Sequence, residues 1–163
     1  MASYLFKNGR LLDPLKAALI DGMQVLVQDG QIREVSDAPI QAPGATVVDL
    51  KGKTLMPGLI DLHVHVMASQ LNLAAQVNQP NVFVTLRAIP ILKAMLRRGF
   101  TTVRDAGGAG LPLKQSIEAG LAQGPRLFVA GRALSQTGGH GDMNAQSDFT
   151  GGGACACCVA SAA

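Results

Sequence analysis

The 163 residues include no tryptophan, one tyrosine and five phenylalanines. With aromatics at 4% there is no set of interleaved rings on which nucleobases could stack. Charge is scarce as well: charged residues make up 15% of the chain and the net charge is only +3. The densest basic pair, Arg97-Arg98, sits where a helix should end, and there the helix dipole itself favours cations. Without a basic stripe, no nucleic-acid partner is expected. No apolar run reaches the roughly 18 residues of a membrane-spanning helix. The start, Met-Ala-Ser-Tyr-Leu-Phe-Lys-Asn-Gly, lacks the charged and then apolar regions of a signal peptide. The expectation is a soluble, cytoplasmic protein with no membrane partner. Cysteine is confined to Cys155, Cys157 and Cys158, in the last nine residues. An odd count gives no disulfide framework, and the spacing is not that of a zinc ribbon.

What the chain does have is apolar residues, 48% of the total, with a mean hydropathy of +0.25. That balance suits strands buried on both faces. The segment around which the rest is organised is Pro57-Gly-Leu-Ile-Asp-Leu-His-Val-His-Val66, which holds two of the three histidines. In a strand, side chains alternate between faces, so Asp61, His63 and His65 should share one face and Ile60, Leu62, Val64 and Val66 the other. On a helix, positions two apart diverge by about 200°. A strand is therefore the element that can aim both imidazoles at one point, and imidazole is a common ligand of divalent metals. Two histidines alternating in a buried strand could also be structural. Their place at the C-terminal end of a strand, where α/β barrels build active sites, favours the metal.

Upstream, residues 1–55 read as a small β-subdomain. Short strands at Tyr4–Lys7, Gln24–Gln28, Ile32–Val35 and Thr46–Leu50 are followed by Asn8-Gly9, Asp29-Gly30 and Lys51-Gly52. Asn-Gly and Asp-Gly between apolar runs are the strongest short hairpin signals. Residues 37–44, with two prolines, read as a loop. Downstream, the polar stretch Met67–Pro80 reads as an active-site loop. A helix is expected from an Asn81 N-cap to Arg98-Gly99, with Val82, Leu86, Ile89, Leu92, Met95 and Leu96 as its apolar stripe and a kink at Pro90. A strand at Phe100–Arg104, a short helix at Leu113–Ala119 and a third strand at Arg126–Leu134 complete a βαβαβ alternation, which means a parallel sheet. His63, His65, Asp105 and His140 all fall at or beyond strand C-termini.

Leu55-Met-Pro-Gly-Leu-Ile-Asp-Leu-His-Val-His65, Gly99-Phe-Thr-Thr-Val-Arg-Asp-Ala-Gly-Gly108, Gly124-Pro-Arg-Leu-Phe-Val-Ala-Gly-Arg132 and Thr137-Gly-Gly-His140 together resemble the metal-dependent amidohydrolase superfamily, in its imidazolonepropionase-like and Xaa-Pro dipeptidase-like branch. The resemblance implies an α/β fold, a (β/α)8 TIM barrel with a small N-terminal β-sandwich, binding two divalent metals, usually zinc, and hydrolysing amide or peptide bonds. By that likeness His63 and His65 are metal ligands and His140 lies on the substrate side, near the scissile carbonyl. Asp105 is read as a cap of the turn after the second barrel strand, and Asp61 as structural or supporting.

Family members bring a bridging carboxylated lysine, two further histidines and an aspartate base from later strands. This sequence contains three of the barrel's βα units. The implied organisation is residues 1–55 as the sandwich, 56–150 as the N-terminal part of an incomplete barrel and 151–163 as a truncated Gly/Ala/Cys-rich tail that ends before another element forms. The expected substrate is a small amide or a dipeptide such as Xaa-Pro, and a homo-oligomer is allowed for. An imidazolonepropionase-like cyclic-amide hydrolase and a short protein without catalysis are the competing readings.

Overall fold

In a computed structural model, residues 2–72, 76, 79–136 and 156–159 are described. They divide into two compact units, Met1–Pro57 and Gly58–Ala163.

The first unit holds two sheets. One is four-stranded and mixed, with β1 (Ser3–Lys7) central, antiparallel to β4 (Gln24–Gln28) and parallel to β6 (Thr46–Asp49), while β5 (Gln31–Ser36) pairs with β4. The other joins β2 (Arg10–Asp13) to β3 (Ala18–Asp21) and β7 (Thr54–Leu55). Asp29-Gly30 forms the hairpin its sequence suggests, with both residues at positive φ, 51° and 76°. Asn8-Gly9 does not. Asn8 is left-handed at φ 60°, but the chain leaves it for β2 in the other sheet instead of folding back on β1.

The strands β2, β3 and β7, absent from the sequence reading, are two to four residues long, too short to show an alternation. The β2–β3 turn is built by Asp13, whose Oδ1 accepts hydrogen bonds from the Leu15 and Lys16 amides at 3.0 and 3.2 Å. Leu5, Leu26 and Ile40 form the buried cluster of this unit. Ile40 belongs to the proline-bracketed loop, and its amide donates to Gln24 Oε1 at 3.2 Å.

The second unit is a three-stranded parallel sheet in the order β10 (Arg126–Val129), β9 (Phe100–Asp105), β8 (Leu59–Val64). Helix α1 (Asn81–Arg97) connects β8 to β9, and α2 (Leu111–Glu118) connects β9 to β10. Gly58 lets the start of β8 lie against β9: a Cβ there would sit 2.0 Å from Thr101 Oγ1. The core is Val64, Val66, Ala88, Leu92, Val103, Ala109, Leu113 and Leu127.

Several expectations are corrected in this unit. Pro80, not Asn81, is the N-cap of α1, with no side-chain capping bond; Asn81 already has its backbone in the helix, where its carbonyl accepts from Thr85 Oγ1 at 2.8 Å. The buried stripe is Val84, Ala88 and Leu92, one i, i+4, i+8 row, while Val82 and Leu86 are 72% and 59% exposed. A three-stranded sheet covers only one side of the helix. It takes the row whose small Ala88 permits close approach, and the bulkier residues on the adjoining face remain in solvent. The span expected as one strand over 126–134 divides into β10 and β11 (Ala133–Gln136), separated by Gly131 at φ 80°. Within the stretch read as a tail without further elements, Ala156–Val159 forms β12, which pairs in parallel with β11.

Candidate metal centre

The site begins with an irregularity. The register of β8 on β9 slips between Leu59 and Ile60 and again between Asp61 and Val64, so simple alternation does not run through the histidine strand. Leu62, expected in the core beside Val64, is 62% exposed, whereas Val64 and Val66 are buried. Ile60, on the same expected face, is likewise 63% exposed, so β8, an edge strand of the described sheet, is covered only at its C-terminal end. The two imidazoles nevertheless meet, with ring centroids 5.3 Å apart and planes at 77°. His63 lies in the strand and His65 one residue beyond its end.

Backbone and side chains on β9 fix this geometry. Asp105, fully buried, accepts from three amides: Oδ2 from Val66 at 2.7 Å, and Oδ1 from Gly107 at 2.9 Å and Ala109 at 3.1 Å. One carboxylate thus caps the turn after β9 and ties it to the residue following His65, the capping role anticipated for it. His65 Nδ1 lies 3.0 Å from the Gly107 carbonyl. A carbonyl only accepts, so Nδ1 carries the proton, and in neutral imidazole Nε2 is left with its lone pair free for a metal. A backbone carbonyl behind a histidine is a recurrent support for metal ligands. The Val64 carbonyl accepts from Ala106 and the His65 carbonyl from Ala68, at 2.9 and 3.0 Å, so the peptides on both sides of His65 are held.

Beyond His65 the chain is anchored by Gln76, a buried amide whose backbone is helical although the stretch Met67–Pro80 was expected to be a loop throughout. Its Nε2 donates to the Met67 carbonyl at 2.7 Å and its Oε1 accepts from the Ser69 amide at 3.1 Å. Sequence reasoning passed over Gln76 because nothing about one glutamine among several polar residues marks it as the buried one. Asp61 does not join the imidazoles as a third ligand: its Oδ1 accepts the His63 amide at 3.1 Å. Among the described residues no group of three or more histidine, cysteine, aspartate or glutamate side chains converges as a metal site. His140 and Cys155 lie outside the described residues, and the side chains of Cys157 and Cys158 likewise.

The sequence model of the amidohydrolase family matches residues 54–159, nearly the whole second unit. A solved amidohydrolase is 64% identical over 91% of this chain, with a TM-score of 0.85, and a prolidase solved with N-methylphosphonate-L-proline is 48% identical over 91%, with a TM-score of 0.84. The chain spans 36% of the length of each of these proteins. A dihydroorotase of Bacillus thuringiensis (strain Al Hakam) is 46% identical over 63 residues, 39% of this chain and 14% of that protein.

Proposed function

Since the chain belongs to the amidohydrolase family, which its match over residues 54–159 establishes, we propose that it forms the metal-binding first third of a C–N bond hydrolase that acts on dipeptides of the Xaa-Pro kind. In this reading the three parallel strands and two helices of the second unit are the opening βα units of a (β/α)8 barrel, and the two sheets of the first unit are its β-sandwich. The observation that carries the substrate class is the 48% identity to the prolidase over 91% of the chain.

The residues present fit a divalent metal. Two imidazoles lie side by side at a strand's C-terminal end, and one of them is held by a carbonyl in the tautomer that frees Nε2. Neutral nitrogen ligands of this kind suit zinc and its neighbours in the first transition row. A divalent metal bound there would supply Lewis-acid chemistry, the polarisation of a carbonyl oxygen and the lowering of the pKa of a water to about 7. His63 and His65 would hold it, Asp105 and the Gly107 carbonyl fix His65, and His140 is assigned to the substrate side, near the scissile carbonyl.

A chimera tests the reading: residues 1–136 of this chain replace the corresponding segment of the prolidase, and a panel of Xaa-Pro and other dipeptides is assayed with zinc. Turnover of Xaa-Pro substrates that disappears with His63→Ala and His65→Ala supports it. A folded, zinc-loaded chimera that ignores Xaa-Pro dipeptides while cleaving other amides overturns the substrate class.

A further inference from the structure

We infer that Arg104 is a positioning residue which, with Asp61, clamps the Leu62–His63 peptide and so aims the His63 imidazole. The inference rests on the reading of His63 and His65 as a metal pair.

The peptide in question sits where the β8–β9 register slips, between Asp61 and Val64. Its two polar ends are both held by side chains. The Leu62 oxygen accepts from Arg104 Nε at 2.6 Å, across the strands, and the His63 amide donates to Asp61 Oδ1 at 3.1 Å, within the strand. The bond to Arg104 is short, as charge-assisted hydrogen bonds are. A peptide plane held at both ends cannot rotate about the adjoining φ and ψ, and those angles decide where the His63 Cβ points. His65 is secured differently, through Asp105 on the following amide and Gly107 on its ring. Each histidine thus has its own support from β9 or the turn after it: Arg104 for the first, Asp105 for the second. Neighbouring residues of one strand therefore hold the two histidines of the other.

Electrostatics and positioning predict opposite signs, which makes the inference testable. Arg104 is a cation near a cation site, and removing its charge alone should tighten metal binding. Removing a clamp should weaken it, and loss of outer supports typically costs about 10- to 100-fold in metal affinity. The experiment titrates the 163-residue chain and its variants with Zn2+ while following the histidine ring resonances by NMR, and measures exchange of the His63 amide without metal.

The expected result for Arg104→Met is roughly tenfold weaker Zn2+ binding and faster exchange at His63. Arg126→Met, which removes an exposed charge from the same sheet, should change neither. Arg104→Lys, which keeps the charge but loses the guanidinium fork, should shift both readouts in the direction of Arg104→Met; it also decides the matter if Arg104→Met fails to fold. Zn2+ affinity unchanged or raised in the arginine variants, with His63 exchange unaltered, overturns the inference. If the unaltered chain shows no Zn2+ effect on either histidine ring, the metal reading fails instead, and His63 exchange alone then decides whether the clamp exists.

Discussion

The two compact units reach order by different routes. In the first, hydrogen-bonded turns organise short strands around a small buried cluster of Leu5, Leu26 and Ile40. In the second, eight buried residues drawn from three strands, two helices and their connections form a continuous core. Turns are local, so a few residues of sequence betray them, whereas a core is assembled from distant residues. The second unit also sets its histidine segment with a fully buried carboxylate, Asp105, alongside exposed hydrogen bonds from Arg104 and Asp61. Order in the first unit therefore rests on single turns and in the second on one shared core, and substitutions at four positions probe that contrast.

The largest effect is expected from Asp105→Ala. Three amides, those of Val66, Gly107 and Ala109, would lose a fully buried acceptor at once. Each such bond to a charged group contributes about 1.5–3 kcal/mol, and non-additivity brings the expected total to about 4 kcal/mol. Native-state hydrogen exchange should show protection lost across β8, β9 and β10 while β1 and β4 keep theirs. Equal loss in both units would break the contrast, because it would mean that they unfold as one.

Gly58→Ala comes next. The added methyl would collide with Thr101 Oγ1 and lie 2.6 Å from Thr101 Cβ, and the Cβ, fixed to the backbone, cannot swing aside by side-chain rotation. Overpacking of this kind costs about 3 kcal/mol. Urea unfolding followed by a probe in the second unit measures it, and Gly58→Ala paired with Thr101→Gly should recover part of the loss. A single mutant as stable as the parent would show that the strand start moves freely.

Metal binding sharpens the comparison further, because the imidazole pair belongs to the second unit alone. The 163-residue chain should take up Zn2+ weakly and release it to chelators, as two imidazoles leave at least two of zinc's usual four positions to water. His65→Ala should reduce Zn2+ affinity about tenfold or more and leave urea stability within about 0.5 kcal/mol, the usual limit for an exposed site. Elemental analysis after gel filtration, with and without chelator, reads the first; denaturation reads the second. A stoichiometric metal that resists chelation would show that further ligands take part.

How much of this was legible in the sequence depended on range. The histidine pair, the parallel βαβαβ order, the Asp29-Gly30 hairpin and the capping role of Asp105 all follow from local spacing or from strand ends. The buried row of α1 did not follow, because choosing the largest side chains favours Val82 and Leu86 over Ala88, and only the sheet decides which row it covers. The register slip beside which Arg104 engages the Leu62 carbonyl was hidden for the same reason: it is a relation between two strands about 40 residues apart, and neither strand announces it. The support of the histidine pair was therefore less visible than the pair itself.

The smallest effect, in the first unit, closes the comparison between the two glycines. Gly30 has φ +76° and nothing within 4 Å of where a Cβ would lie, so Gly30→Ala is opposed by backbone conformation alone. A left-handed residue with a Cβ costs about 1 kcal/mol. Gly58 presents the reverse case, a glycine whose neighbours forbid a side chain. If the distinction holds, Gly30→Asn should be nearly neutral, since asparagine tolerates the left-handed region, and Gly58→Asn should be worse than Gly58→Ala, since it adds bulk to a space already occupied. Urea midpoints of the four variants decide the point: a Gly30→Asn protein no more stable than Gly30→Ala would mean that the turn at Gly30 is limited by contacts its open surroundings do not reveal.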